Sequence, residues 1–563
     1  MPRFEQVLLF LLFLAGAGGA ASQDFSGFTK VKPFDWSASI NAGLTSVNSN
    51  SNKALYSPFA YSFGINSSLS VYGFDLPFSF IFRDRQASYG ASFSRFSLSP
   101  SYKWAKLYLG HSQLEYNKYL LSGMQVYGVG VEINPGVFRF AVISGKVYNP
   151  KILSDTLTQH SGIINPYCRK LTAFKLGIGN NRNYIDFSLL MGSDQDKNLD
   201  TGDSLFYAPQ ANTCLGVSTS FDIIGKSLNI AINGAASAVT HNKNGAELEE
   251  GDLKQNGILS ALSDMVEPNK STTLSFAGDA ILGYTFRSFS LKARYQRIDP
   301  FYQSFGVNFL RGDRENISLQ SAISLFNGVV SLSGSYGIDR NNLVNLRSST
   351  VRQKIYDINV QINPVRWFGL DAQLSNYNFD QKPSLQNVLD TVRFIQINAT
   401  NAISPYLRFH NKVWQHSIHL NVTKQSLNDL SSNDFATLYS SNISYSVGYQ
   451  IRNRPNKWNA GMNLFKYEYK NDVSVSNRTG LSINVSTAFM HDRLNVRIRS
   501  SISSNQQNKV NACLQFNIGP TITIKVGKGS LMLQHNYITR KSAISMAPFN
   551  ESRFYTNFSM PIK

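Results

Sequence analysis

The connections of this chain constrain its fold more than any motif does. From about residue 30 to Lys563, stretches that alternate apolar and polar residues are joined in turn by tight and by long connections. The tight ones include Ile133-Asn134-Pro135-Gly136, Met490-His491-Asp492-Arg493 and Gly527-Lys528-Gly529; the long, polar ones are 148–169, 194–209, 240–271, 300–314 and 378–391. A period of two marks strands with one apolar face. Short turns at one end and long loops at the other are the pattern of a membrane-spanning β-barrel, whose turns lie on the periplasmic side.

Three hairpins show the faces. Leu481, Ile483, Val485 and Phe489 alternate with Ser482, Asn484 and Ser486, and beyond the turn Leu494, Val496 and Ile498 alternate with Asn495, Arg497 and Arg499. A turn centred on His491-Asp492 sets Phe489 against Leu494 and Ser486 against Arg497, so each set keeps its own face. A turn at Ile362-Asn363-Pro364 likewise joins Ile358 and Val360 to Leu370, Ala372 and Leu374. In the third, Leu274, Phe276, Leu282 and Phe286 share a face with Phe289, Leu291 and Tyr295, while Asp279, Lys292 and Arg294 take the other. A soluble sandwich also alternates. Here the apolar segments run about ten residues, the length that a tilted strand needs to cross a bilayer, and the polar face mixes charged with small residues as a wet lumen does. Closure into a barrel leaves no unpaired edge in lipid.

Strands beginning near Phe34, Phe59, Pro77, Ala91 and Lys106 come first, then hairpins turning near 135, 181, 225, 287, 327, 366, 404, 454, 491 and 528, then a last strand from about Phe554 to Ile562. The expectation is one all-β, antiparallel, up-and-down transmembrane barrel over 32–563 with about 26 strands (range about 22 to 26) and both termini in the periplasm. Residues 1–22 read as a secretory signal: Arg3, then an apolar run from Val7 to Ala15, then small residues through Ala21. Residues 23–31 leave only a short periplasmic segment, so no N-terminal plug of the kind TonB-dependent transporters carry is expected. Ile-Asn-Pro and Ile-Ser-Pro recur at 133–135, 362–364 and 403–405, which reads as turn chemistry, because proline has no ladder donor to lose.

Charge and cysteine bound the partners. The 54 Lys and Arg exceed the 35 Asp and Glu by 19, an excess suited to basic loops beside an anionic membrane surface or to an acidic cargo. Outer-membrane lipids and lipopolysaccharide are the expected partners, together with other outer-membrane or surface proteins; nucleic acid is not. Three cysteines, Cys168, Cys214 and Cys513, are too few for a disulfide framework; Cys168 and Cys214 lie near loop ends and could pair, but separate thiols are the preferred reading.

The candidate site is the inward face. By parity it carries Glu132, Arg139, Lys175, Asp186, Asp279, Lys292, Arg294, Asp357, Asp371, Arg497 and Arg499, with Glu132 and Arg139 side by side across their turn. Such residues either guide a polar solute or form paired ladders that stiffen the wall. A weak calcium candidate, Asp194, Asp196, Asn198 and Asp200, spaces oxygen ligands at every second position but has Leu199 where the sixth-position glycine belongs. In loop 240–271, Ile258, Leu259, Leu262, Met265 and Val266 recur at helical spacing, as in a short amphipathic helix that constricts the lumen or docks a partner. Histidines His416 and His419 have opposite parity and cannot share a lumen site. No catalytic grouping and no cofactor motif is present, so neither enzymatic activity nor a cofactor is expected.

Three segments carry a resemblance. Phe74-Asp75-Leu76-Pro77-Phe78-Ser79-Phe80, Leu98-Ser99-Pro100-Ser101-Tyr102-Lys103-Trp104 and the run from Gly128 to Phe140 resemble a group of large outer-membrane barrel proteins of the Bacteroidota. The resemblance implies an outer-membrane barrel and transfers no functional residue; the C-terminus, Met560-Pro561-Ile562-Lys563, departs from the aromatic ending usual for such barrels. The functional expectation is a conduit, for transport or protein export, passing a large polar substrate. The alternative is a non-conducting scaffold subunit whose lumen is closed by loops or by a partner.

Overall fold

Strands long in β-branched and aromatic residues pair with their sequence neighbours all the way round, and the first meets the last. In the computed structural model, Phe34–Ser49 pairs antiparallel with Phe59–Val71 on one side and with Phe549–Ile562 on the other, Ala38 opposite Ile562 and Ser49 opposite Glu551. The structure describes residues 33–50, 59–84, 95–148, 167–195, 208–225, 227–247, 268–308, 310–383, 394–429, 439–542 and 548–562. The result is a closed antiparallel barrel of 26 strands, counting Arg95–Leu98 and Ser101–Tyr102 as two pieces of one strand broken at Ser99-Pro100. Among the described residues the only helical element is a single 3-10 turn, Phe326–Gly328, and no plug domain stands in the barrel. Residues 1–32, with the expected signal, lie outside the described ones.

Register follows the hydrophobic pattern. Phe489 faces Leu494 and Ser486 faces Arg497; Ile358 faces Leu374 and Val360 faces Ala372; Phe286 faces Phe289 and Tyr284 faces Leu291. A slip of one residue would turn each apolar row into the lumen. The outward face carries that row almost unbroken: Ile178, Phe187, Val217, Ile232, Leu282, Ile317, Val447, Leu464 and Ile483 are all more than a third exposed. Above and below it lie aromatic girdles. At the turn end stand Phe34, Trp104, Phe286, Trp367, Phe409 and Phe489; at the loop end stand Phe59, Tyr61, Phe96, Tyr127, Tyr336 and Tyr439. Trp367 stacks on Phe409 at 6.2 Å, and Trp414 meets Trp458 edge-on at 5.3 Å.

Four sequence expectations are corrected. The turn placed near 404 lies at 411–413, and Phe394–His410 runs straight through Pro405. Proline cannot donate to the ladder, and the pairing with Trp414–Asp429 skips from Ile403–Val422 to Tyr406–His419, with Asn421 Nδ2 instead donating to Ser404 Oγ at 2.7 Å. Ile362-Asn363-Pro364 is the irregular end of the strand Ser349–Val365 and not the turn, which is Arg366-Trp367. The segment 378–391 is not all loop, because the strand Phe368–Pro383 extends into it. The alternation of tight and long connections also fails late in the chain: 472–474 and 508–509 are tight at the loop end as well.

Candidate functional site: the lumen wall

The inner wall has two unlike sectors. In the first, from the strand Gln125–Ile133 to the strand Phe289–Ile298, apolar side chains appear on both faces: Phe140 and Val142 point out while Ala141 and Ile143 point in. The inward ones are buried, because two loops, 114–124 and the described residues 299–308 and 310–313, fold into the barrel and cover them. Leu120, Leu121, Leu171, Leu190 and Cys214 form one cluster with Ile143; Tyr119, Ala235, Ala277, Ile298 and Tyr302 form a second. The loops bind each other through a short parallel pairing of Leu121–Ser122 with Gly306–Val307. Gly306 is required there, since a Cβ would fall 2.2 Å from the Leu120 carbonyl oxygen.

Polar side chains of the wall fasten these loops. Tyr119 donates its hydroxyl to Asp279 Oδ1 at 2.7 Å and accepts from Gln296 Nε2 at 2.9 Å. Lys118 Nζ and Arg294 Nε lie 3.4 Å from the two oxygens of the same carboxylate. Asn117 Nδ2 donates to Ser218 Oγ at 2.8 Å; Asn212 Oδ1 accepts from the Phe305 amide at 2.9 Å; Ser304 Oγ donates to the Leu120 carbonyl at 2.6 Å. Arg169 lies flat on the Phe305 ring, 3.5 Å from its centroid, while its guanidinium holds Asp194 at 2.7 and 3.0 Å. Burial pushes the phenols of Tyr116, Tyr119 and Tyr302 above their ordinary range, helped at Tyr119 by its bond to Asp279. Burial also draws the Lys118 ammonium down, against the pull of Asp279.

The sequence-predicted charges divide between the sectors. Arg139 forks onto Asp186 at 2.8 and 3.0 Å, reaching across the strand between them at Gly177, which faces both. A Cβ on Gly177 would sit 2.0 Å from Asp186 Oδ1. Glu132, expected beside Arg139 on the inner face, accepts from Tyr108 at 2.8 Å and from Asn134 at 2.9 Å. Lys175 is buried, with Nζ 5.4 Å from the centre of the Tyr116 ring. Asp279 and Arg294 meet at the loop anchor. Lys292 faces the lumen between Gly283 and Gln320. Asp357 accepts from Asn359 and from Gln373.

The second sector runs from about Arg314 to Ser542, and no described segment covers it. Its inward residues are mostly Ser, Thr, Asn and Gln. Asp371 lies in a concavity of about 920 Å³ with Gln361, Gln373, Asn421 and Gln425. Arg497 and Arg499 lie in another of about 800 Å³ with Asn484, Asn517 and Asn536. Apart from Asp194, which is held by Arg169, the calcium candidates Asp196, Asn198 and Asp200 lie outside the described residues, as does the helical pattern from Ile258 to Val266. Among the described residues no cluster of metal-ligating side chains occurs. Cys168, Cys214 and Cys513 are free thiols. His416 lies on the outward face against Tyr449 while His419 meets Tyr406 inside.

The two in-folded loops were not anticipated from the sequence. The signal that could have found them is the loss of alternation in Phe138–Tyr148 and Cys168–Gly179, where apolar residues occupy both faces.

No protein-family model and no curated protein matches the chain. Among solved structures it is similar to OccAB2 of Acinetobacter baumannii, at 10% identity over 63% of this chain and 93% of that one, with a TM-score of 0.30. It is similar also to the P pilus usher PapC translocation pore, at 9% identity over 94% of this chain and 99% of that one, with a TM-score of 0.35. OccK9 of Pseudomonas aeruginosa matches at 9% identity over 70% and 98%, with a TM-score of 0.31.

Proposed function

We propose that this barrel spans an outer membrane and conducts polar solutes through its lumen. The observation that carries the reading is the contrast between the two faces of the uncovered sector. On one strand, Val447 and Tyr449 point outward into an apolar belt while Ser446, Gly448 and Gln450 point inward. The outward belt with its two aromatic girdles suits lipid. The inward face suits water, and side chains alone do not fill a barrel of this strand number. In this reading the immediate partners are outer-membrane lipids and lipopolysaccharide.

The in-folded loops favour a second reading, a scaffold whose lumen is closed, but they line only the first sector. Planar-bilayer recording of the purified full-length protein separates the two. A large, steady single-channel conductance is expected. Electrical silence of protein that is folded by heat-modifiable gel mobility would overturn the conduit and leave the closed scaffold.

A further inference from the structure

The concavity around Arg499 is a shelf built at one height across seven neighbouring strands. Reading along the hydrogen-bonded row, Gln450 faces Gly461, Gly461 faces Asn484, Asn484 faces Arg499 and Arg499 faces Gly519; Asn536 and Arg553 follow as the next facing pair. The two glycines form the floor. A Cβ on Gly461 would lie 2.6 Å from Asn484 Oδ1, and one on Gly519 would lie 2.7 Å from Asn536 Oδ1. Both amides therefore lie down over bare backbone and present their edges to the lumen. One step toward the turns, a second row brings Ser486, Arg497, Thr521 and Gln534 beside the first.

Charge on this shelf is one-sided. Arg497 and Arg499 are exposed, two residues apart on one face, and neither guanidinium has a hydrogen bond or ion pair among the described residues. Two carboxylates of this part of the barrel are engaged elsewhere: Glu551 holds Arg553, and Asp492 at the turn holds Lys457. The adjoining concavity toward the turns adds Arg452 and Arg454. Two unpaired planar forks side by side repel each other and match carboxylates bidentately. The surrounding amides and hydroxyls match a hydroxyl-rich ligand. The volume, about 800 Å³, is that of a small-molecule site.

We propose that this shelf is a binding site for carboxylate-bearing oligosaccharides, with Arg497 and Arg499 taking the carboxylates and Asn484 and Asn536 the neighbouring hydroxyls. The inference deepens the conduit reading and rests on it for its physiological sense, since the shelf lines the proposed path.

The test uses the full-length protein in detergent and in planar bilayers. Fluorescently labelled hexagalacturonate is the acidic probe and labelled maltohexaose the neutral one. Hexagalacturonate is expected to bind at least about tenfold tighter than maltohexaose, and Arg497→Gln/Arg499→Gln to lose that preference, as removal of charge-assisted bonds requires. Lys541→Gln, on the outward face, should leave it intact. In bilayers under a salt gradient, the wild type should favour anions and the double variant should shift its reversal potential toward cations. Heat-modifiable mobility reports folding of each variant, and Asn484→Ala/Asn536→Ala, which keeps both arginines, should weaken both probes alike. Equal binding of the two sugars, or full binding by the folded arginine variant, would overturn the site. Conduction without sugar preference would sink the site and keep the conduit; arginine-dependent binding without conduction would do the reverse.

Discussion

At the scale of single residues, Asp279 carries the most. Its carboxylate is almost wholly buried and receives Tyr119, Lys118 and Arg294 together. Tyr119→Phe removes a bond to a charged acceptor together with the one from Gln296 and should destabilise the in-folded loop by about 1.5 to 3 kcal/mol. Asp279→Ala should cost more, because it strands the Tyr119 hydroxyl and two cations at once. Protease sensitivity within 114–124, measured on folded protein, ranks the two. The same phenols set an alkaline limit. Burial raises the folded-state pKa of Tyr116, Tyr119 and Tyr302 above the unfolded value. The stabilisation that they give is then fully present below the ordinary phenol value of about 10 and is lost as pH rises from there through the higher folded values. Protease sensitivity of the loop should consequently increase above about pH 10, and the triple variant Tyr116→Phe/Tyr119→Phe/Tyr302→Phe should show a flatter alkaline profile.

At the scale of elements, the strand Cys168–Gly179 shows how much can hang on a missing side chain. Gly177 stands between Arg139 and Asp186, and its bareness lets the guanidinium reach the carboxylate two strands away. Gly177→Ala should push the pair apart, leaving Asp186 buried and unpaired, at a cost of about 3 to 5 kcal/mol. Asp186→Asn, which keeps a hydrogen-bond acceptor and removes the charge, should cost less. Urea midpoints for refolding in detergent, with unchanged slopes, measure the difference. This contact was not legible from the sequence. Parity placed both side chains on the inward face and set Glu132 beside Arg139 across the turn, but only the glycine between the strands shows that Arg139 reaches Asp186. The strands themselves were legible, because alternation and turn chemistry are local: Phe34 and Phe59 begin strands as their patterns predict. Pro405 misled, since a local reading cannot know that its missing donor falls within a strand. Loops 114–124 and 299–313 were illegible for the opposite reason. Leu121 and Gly306 find each other across most of two hundred residues, and only the apolar inward residues of the wall between them betray the contact.

At the scale of the whole molecule, the proposed function requires the barrel to be a two-sided sheet whose sides face different solvents, and one strand is enough to test that. Val447 and Ser446 are neighbours in Tyr439–Asn453, the first on the apolar belt and the second on the inner wall. A charge at the middle of the lipid face costs about 2 to 4 kcal/mol for Arg or Lys, whereas a lumen substitution changes selectivity and leaves stability nearly alone. Val447→Arg should therefore lower the yield of folded barrel in lipid vesicles and its urea midpoint there, while Ser446→Arg should insert like the wild type. The inserted Ser446→Arg barrel should also move the reversal potential toward anions, because the new guanidinium joins the side of the wall that already holds Arg497 and Arg499. If both variants insert equally well, the outward belt does not face lipid. If Ser446→Arg alone fails, the two faces have been exchanged. The pair matters more than either variant, since a general intolerance of arginine in the strand would harm both, and only a sheet with lipid on one side and water on the other separates residues one position apart.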